Sequence, residues 1–151
     1  MASGIEVFYS YAHEDEELRN KLDRQLSILQ RLGLIVGWHD RRIGAGNEWV
    51  GQIDKHLNTA QIILLLVSDA FMASKYCWDV ELKRAMERHE AGEARVIPVI
   101  LRRVDWRGAP FDKLQVLPTD AKPVTSWSNI DEAFYDVAQG IRRVVEEPTN
   151  P

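Results

Sequence analysis

Apolar positions along the chain switch repeatedly between two spacings. Ile5–Ser10 is a short β-branched and aromatic run that predicts a strand, running out into Phe8-Tyr9-Ser10-Tyr11. Over residues 14–32, Leu18, Leu22, Leu26, Leu29 and Leu32 recur at intervals of three and four, one face of a helix. Acids cluster at its start, where the helix dipole favours them, and Gly33 is placed to end it. A second strand is predicted at 34–38, a loop at 39–47 and a short helix at about 48–58, with Trp49, Ile53 and Leu57 on one side. Ile62–Val67 is apolar throughout, as expected of a strand covered on both faces. Ser74 is an N-cap residue for a helix at about 75–90. A fourth strand is predicted at 96–101, a loop at 105–122 and a short fifth strand at Val124–Ser126. The last helix, about 131–146, turns Phe134, Val137, Ile141, Val144 and Val145 inward.

Strands alternating with helices imply a parallel sheet with helices on both faces. With five strands the flavodoxin-like order 2-1-3-4-5 is expected, and ligands in such sheets bind beyond the carboxyl ends of strands 1 and 3. That rule selects residues 9–11, 38–40 and the stretch after Val67, next to the helix of residues 75–90.

Composition narrows the class. The 151 residues suit a single domain, 1–147, followed by a polar, proline-broken tail at 148–151 that reads as a linker. Hydrophobic residues make up 45% and charged residues 28%, the balance of a soluble globular protein. The net charge of −4, with 19 basic and 23 acidic residues, argues against nucleic acid as the main partner. Arg41-Arg42, Arg102-Arg103 and Arg142-Arg143 are isolated pairs that read as solvated surface. Cys77 is the only cysteine, so no intrachain disulfide can form and a reducing compartment fits. The N-terminus lacks the basic and apolar regions of a signal peptide, and no apolar run approaches bilayer length. A cytoplasmic protein without membrane contact is expected.

Familiar phosphate and metal signatures are missing. Gly44-Ala45-Gly46 starts like a dinucleotide fingerprint but follows the second strand, and Trp49 stands where the third glycine belongs. His13, His39, His56 and His89 show no metal-ligand spacing with Cys77, so no metal is expected. In S-K-Y-C-W-D-V-E-L, residues 74–82, Glu81 lies four residues after Cys77, both on the edge of an apolar stripe that includes Trp78 and Leu82. Read alone, such a glutamate is more often a border carboxylate, paired with Lys83 or Arg84, than a working group. Its place at the strand-end crevice moves it toward function. Phe8, Tyr9 and Tyr11 are ordinarily packing residues, Trp38 and Trp49 loop anchors, and Cys77 a small buried hydrophobe. Asp40, ending the second strand, suits either ribose hydroxyls or a turn cap.

These stretches resemble the TIR (Toll/interleukin-1 receptor) domain family. Val7-Phe8-Tyr9-Ser10-Tyr11 is similar to its first-strand F-[IV]-S-Y box, with Tyr9 where Ile or Val is commoner. Residues 38–46, W-H-D-R-R-I-G-A-G, resemble the BB loop of bacterial members, and Ile62 to Ser68 the strand that ends in serine. Ser74-x-x-Cys77-x-x-x-Glu81-Leu82 resembles the S-x-x-C-x-x-E-L signature with one residue more between Cys and Glu. The likeness spans about residues 5–146 and implies the flavodoxin-like fold.

It also implies one of two functions. Many bacterial and plant members cleave NAD+ between nicotinamide and ribose, whereas other members act as signalling scaffolds by homotypic association. In the enzymes the signature glutamate is catalytic, a position held here by Glu81. Tyr9, Ser10, Tyr11, Trp38, Asp40, Gly44, Gly46, Trp49, Cys77 and Trp78 would then line the NAD+ site, and Arg41, Arg42 and Ile43 would meet other TIR domains. NAD+ would be the substrate, with no separate cofactor. Expected partners are further TIR domains in a homo-oligomer or filament, in signalling or antiviral defence. A nucleoside deoxyribosyltransferase-like enzyme, sharing the fold type and glycosidic chemistry, is a more distant alternative.

Overall fold

A computed structural model describes residues 4–39 and 55–147. Four parallel strands form one sheet, β1 (Ile5–Ser10), β2 (Ile35–His39), β3 (Ile62–Val67) and β4 (Arg95–Ile100), in the order β2-β1-β3-β4. The helices are α1 (Glu16–Gln25), α2 (Ser27–Arg31), α3 (Lys55–Thr59), α4 (Asp69–Ala73), α5 (Lys83–Glu90) and α6 (Ile130–Glu146). A 3-10 turn, His13–Asp15, precedes α1, and a π-helical segment, Tyr76–Leu82, runs into α5.

Strand alternation splits the core into two layers. Val7, Tyr9, Leu64, Leu66, Ile97 and Val99 face α1, α2 and α6, among Leu22, Leu26, Leu29, Phe134 and Ile141. Phe8, Ile63, Leu65, Val67, Val96 and Ile100 face α3, α4 and α5, among Leu57, Phe71, Cys77 and Ala85. β3 is buried along its whole length, which explains its unbroken apolar sequence. Each fully buried Leu, Ile or Phe contributes roughly 1.5–3 kcal/mol of transfer free energy.

Three expectations need correction. The helix predicted over 14–32 breaks at Leu26 (φ −92°, ψ 1°), where the Ser27 hydroxyl donates to the Arg24 carbonyl at 2.8 Å and competes with the helical ladder. The break leaves Leu32 exposed rather than inward. Gly33 does end α2: at φ +77° it completes a Schellman turn in which the Leu34 N–H donates to the Leu29 carbonyl at 3.0 Å.

No fifth strand occurs among the described residues, and Val124–Ser126 is a 3-10 turn. The outer edge of β4 is met instead by Leu117, whose N–H donates to Pro98 at 2.9 Å and whose carbonyl accepts from Ile100 at 2.8 Å. Pro118 follows with no N–H to continue a ladder. The flavodoxin-like α/β arrangement holds, with its first four strands in the expected order. Finally, α4 occupies a stretch without a predicted element, started by Ser68, whose hydroxyl accepts from the Phe71 N–H at 3.0 Å.

Candidate active site

The carboxyl ends of β1 and β3 are where the chain turns from β1 toward the α1 layer and from β3 toward the α5 layer. This divergence opens the crevice in which ligands of such sheets bind. Two serine–carboxylate pairs sit there. Ser10, the last residue of β1, donates its hydroxyl to Glu81 Oε1 at 2.7 Å, and both residues are 0% exposed. Ser68, just past β3, donates its hydroxyl to Asp15 Oδ2, which lies in the turn after β1. Each strand end is thus tied to the element that follows the other strand.

The helix bearing Glu81 begins as the sequence predicts, with Ser74 in an extended conformation and its hydroxyl accepting from the Cys77 N–H at 3.1 Å. Its winding is not α-helical, however. From Tyr76 to Leu82 it takes the wider π form, which turns through a smaller angle per residue. The buried face therefore centres on Cys77, Glu81 and Ala85, whereas Trp78 is only partly buried. Glu81 is not on the edge of the helix but on its innermost line. The Cys77 Sγ donates to the Tyr11 carbonyl at 3.5 Å, so successive turns of this helix grip the end of β1 at Tyr11 and Ser10.

Of the residues singled out in the sequence, Ser10, the Tyr11 backbone, Cys77 and Glu81 come together. The rings of Tyr9 and Tyr11 lie in the opposite layer, because strand alternation turns them away from Ser10. There the Arg19 guanidinium carbon stands 5.3 Å and 5.4 Å from their ring centroids, and the Tyr9 hydroxyl donates to Asp23 Oδ1 at 3.3 Å. Burial, reinforced by the Asp23 carboxylate, pushes the Tyr9 phenol well above its ordinary ionisation range, which makes it a hydrogen-bond donor and not a base. Trp78 packs against the outside of the α5 layer and walls two surface cavities, about 600 Å³ beside Leu82 and Met86 and about 330 Å³ beside Met72 and Trp106. Trp38 is placed through its backbone, opposite Val7 in the β1–β2 pair. Asp40, Arg41, Arg42, Ile43, Gly44, Gly46 and Trp49 lie outside the described residues.

Two polar groups escaped the sequence reading. Asp15, with a side chain 0% exposed, also accepts from Arg102 Nε at 2.8 Å. Arg88, 5% exposed, donates through Nη1 to the carbonyls of Leu57 and Ala60 at 2.8 and 2.6 Å and through Nη2 to the Glu93 carbonyl at 3.1 Å. It satisfies the carboxyl end of α3 and locks that helix to α5. The signal for Arg88 was its heptad spacing from Glu81, which puts both on the inner face; for Asp15 and Arg102 no local signal exists. Among the described residues no helix is long and apolar enough to cross a membrane, and no group of three or more His, Cys, Asp or Glu side chains is placed to hold a metal ion.

The chain is 57% identical over 143 residues to the uncharacterized protein y4lF of Sinorhizobium fredii (strain NBRC 101917 / NGR234). That match covers 95% of this chain, which spans 44% of the length of the relative. Among solved structures it is similar to the TIR domains of the activated Roq1 resistosome, which directly recognizes the pathogen effector XopQ. The identity is 22% and the TM-score 0.49, with 90% of this chain and 84% of that chain covered. The family model described as "TIR domain" matches residues 7–134, and the chain belongs to the TIR domain family.

Proposed function

We propose that this TIR domain is an NAD+ glycohydrolase, with Glu81 as its catalytic carboxylate. The observation that carries the reading is the Ser10–Glu81 pair, a buried carboxylate aimed at the end of β1 in the ligand-binding crevice of the sheet. Cleavage of the N-glycosidic bond sends the bonding pair to the pyridinium ring, so nicotinamide leaves neutral and needs no proton. The positive charge passes to the ribose as oxocarbenium character. A carboxylate beside C1 stabilises that charge or bonds C1 transiently, and water then completes ADP-ribose and releases one proton. Closure by the adenine base instead of water would give a cyclic product. One carboxylate suffices, because the leaving group requires no general acid.

Ser10 is well suited to assist. Its hydroxyl donates to Oε1 at 2.7 Å and fixes the rotamer of Glu81. The complete burial of Glu81 strengthens any field the carboxylate exerts. Zero exposure of Glu81 means that a ribose reaches it only when part of its cover is displaced, and self-association of TIR domains is the proposed cause. In this reading Asp40, Gly44, Gly46 and Trp49 flank the nucleotide, while Arg41, Arg42 and Ile43 serve association.

The same burial favours a second reading, in which Glu81 is a structural tie and the domain acts as a signalling scaffold. Incubation with NAD+ at rising protein concentration separates the two. The enzymatic reading expects nicotinamide release that grows faster than protein concentration and vanishes in Glu81→Ala. The scaffold reading expects none, with assembly lost on charge reversal of Arg41 and Arg42.

A further inference from the structure

Among the described residues, Arg102 stands where three strand ends converge on a single carboxylate. It follows β4, the Ser68 hydroxyl follows β3, the Asp15 carboxylate follows β1, and Asp15 accepts from both. The Asp15 side chain is fully buried, so its charge requires compensation, and Arg102 supplies it through Nε alone. The two Nη groups of Arg102 donate to no other described residue, and the side chain is 43% exposed. Arg88 makes the contrast plain: with 5% exposure, its nitrogens are all engaged by carbonyls and the Glu93 carboxylate. Arg102 instead is held at Nε by a buried acid while its side chain stays 43% exposed to solvent. A pre-oriented guanidinium with two Nη groups to offer is the geometry that takes phosphate oxygens bidentately.

We propose that Arg102 is an anion anchor of the crevice and binds the diphosphate of a dinucleotide, an inference that rests on the NAD+ reading above. The distance is compatible. Asp15, which orients Arg102, is five residues from Ser10, which orients Glu81, so at most roughly 17 Å of extended chain separates the two anchors. The 3-10 turn His13–Asp15 shortens that span. A dinucleotide bound across the strand ends would present its glycosidic carbon to Glu81 and its diphosphate, one ribose away, toward Arg102. Arg103, the neighbouring exposed cation, adds to the field without a fixed geometry.

Calorimetric titration of the 151-residue chain with ADP-ribose, and with adenosine as the phosphate-free control, tests the site in wild type, Arg102→Lys and Arg102→Gln. ADP-ribose should bind wild type at least roughly tenfold more tightly than adenosine, and both variants should lose about that factor for ADP-ribose alone. Thermal unfolding of the same samples reports whether each variant folds. Equal ADP-ribose affinity in wild type and a folded variant overturns the proposal. So does a wild type that prefers adenosine, or the failure of both variants to fold, since the guanidinium would then serve Asp15 only. ADP-ribose needs no turnover to bind. Arg102-dependent binding without NAD+ cleavage therefore defeats the hydrolase reading alone, while Glu81-dependent cleavage with affinity indifferent to Arg102 defeats this inference alone.

Discussion

Asp15 and Glu81 are both buried carboxylates at the carboxyl edge of the sheet, and each accepts a serine hydroxyl, yet their settings differ in kind. Asp15 lies beside a guanidinium at 2.8 Å and accepts from Ser68, which also caps α4, so its charge is committed to bracing three strand ends. Glu81 is held at Oε1 by the neutral hydroxyl of Ser10, on a stretch of helix wound out of α geometry. A carboxylate that neutralises an arginine has spent its field on the fold. The Ser10 hydroxyl, being neutral, cancels none of the charge on Glu81, and in the proposed reaction a cationic transition state uses that charge. The lesson is that burial alone does not tell a structural acid from one proposed to work.

The most severe way to break this comparison is Glu81→Gln, which keeps the shape and the Ser10 contact but removes the charge. Nicotinamide release should fall by roughly 10²–10³-fold, the scale of losing one preorganised electrostatic group, with the folded state retained. Next in size is Ser10→Ala. Loss of one hydrogen bond to a charged group costs about 1.5–3 kcal/mol, so kcat should drop roughly 10–100-fold while KM for NAD+ stays near its original value. Ser10→Thr, which retains the hydroxyl, should recover part of that loss.

The brace answers to a different assay. Asp15→Asn should lower unfolding stability in urea by about 2 kcal/mol, less than a fully buried pair would lose because Arg102 is half solvated. The smallest effect concerns Tyr9 in the opposite layer. Its phenol ionises higher in the folded chain than in the unfolded one, so its contribution to stability is complete below a pH of about 10. That contribution disappears as pH climbs from there through the folded value. Ultraviolet titration should therefore show one phenol ionising after the others, together with alkaline unfolding, and Tyr9→Phe should abolish that late step.

The sequence predicted the parts of this molecule whose causes are local. The bounds of β1 and β3 were legible because β-branched and apolar runs end sharply at Ser10 and Val67, and α6 because its inward residues keep one period over 17 residues. The break at Leu26 was hidden because it depends on which partner the Ser27 hydroxyl selects. The five-residue α4 is too short to show a period. An α-helical angle per residue puts Glu81 on the helix edge, whereas the π winding of Tyr76–Leu82 brings it to the inner line. The pairings that define the candidate site join residues 71 and 53 positions apart, and Arg102 reaches Asp15 across 87, distances over which no periodicity in the sequence carries information.

The account rests on Glu81 being the working acid and Asp15 the bracing one. The direct measurement is nicotinamide release at saturating NAD+ by Glu81→Gln and Asp15→Asn side by side, at high protein concentration and at a temperature where both remain folded. The account predicts a folded, inactive Glu81→Gln and a less stable Asp15→Asn that still turns over. Full turnover by Glu81→Gln, or a folded Asp15→Asn as inactive as Glu81→Gln, would contradict it.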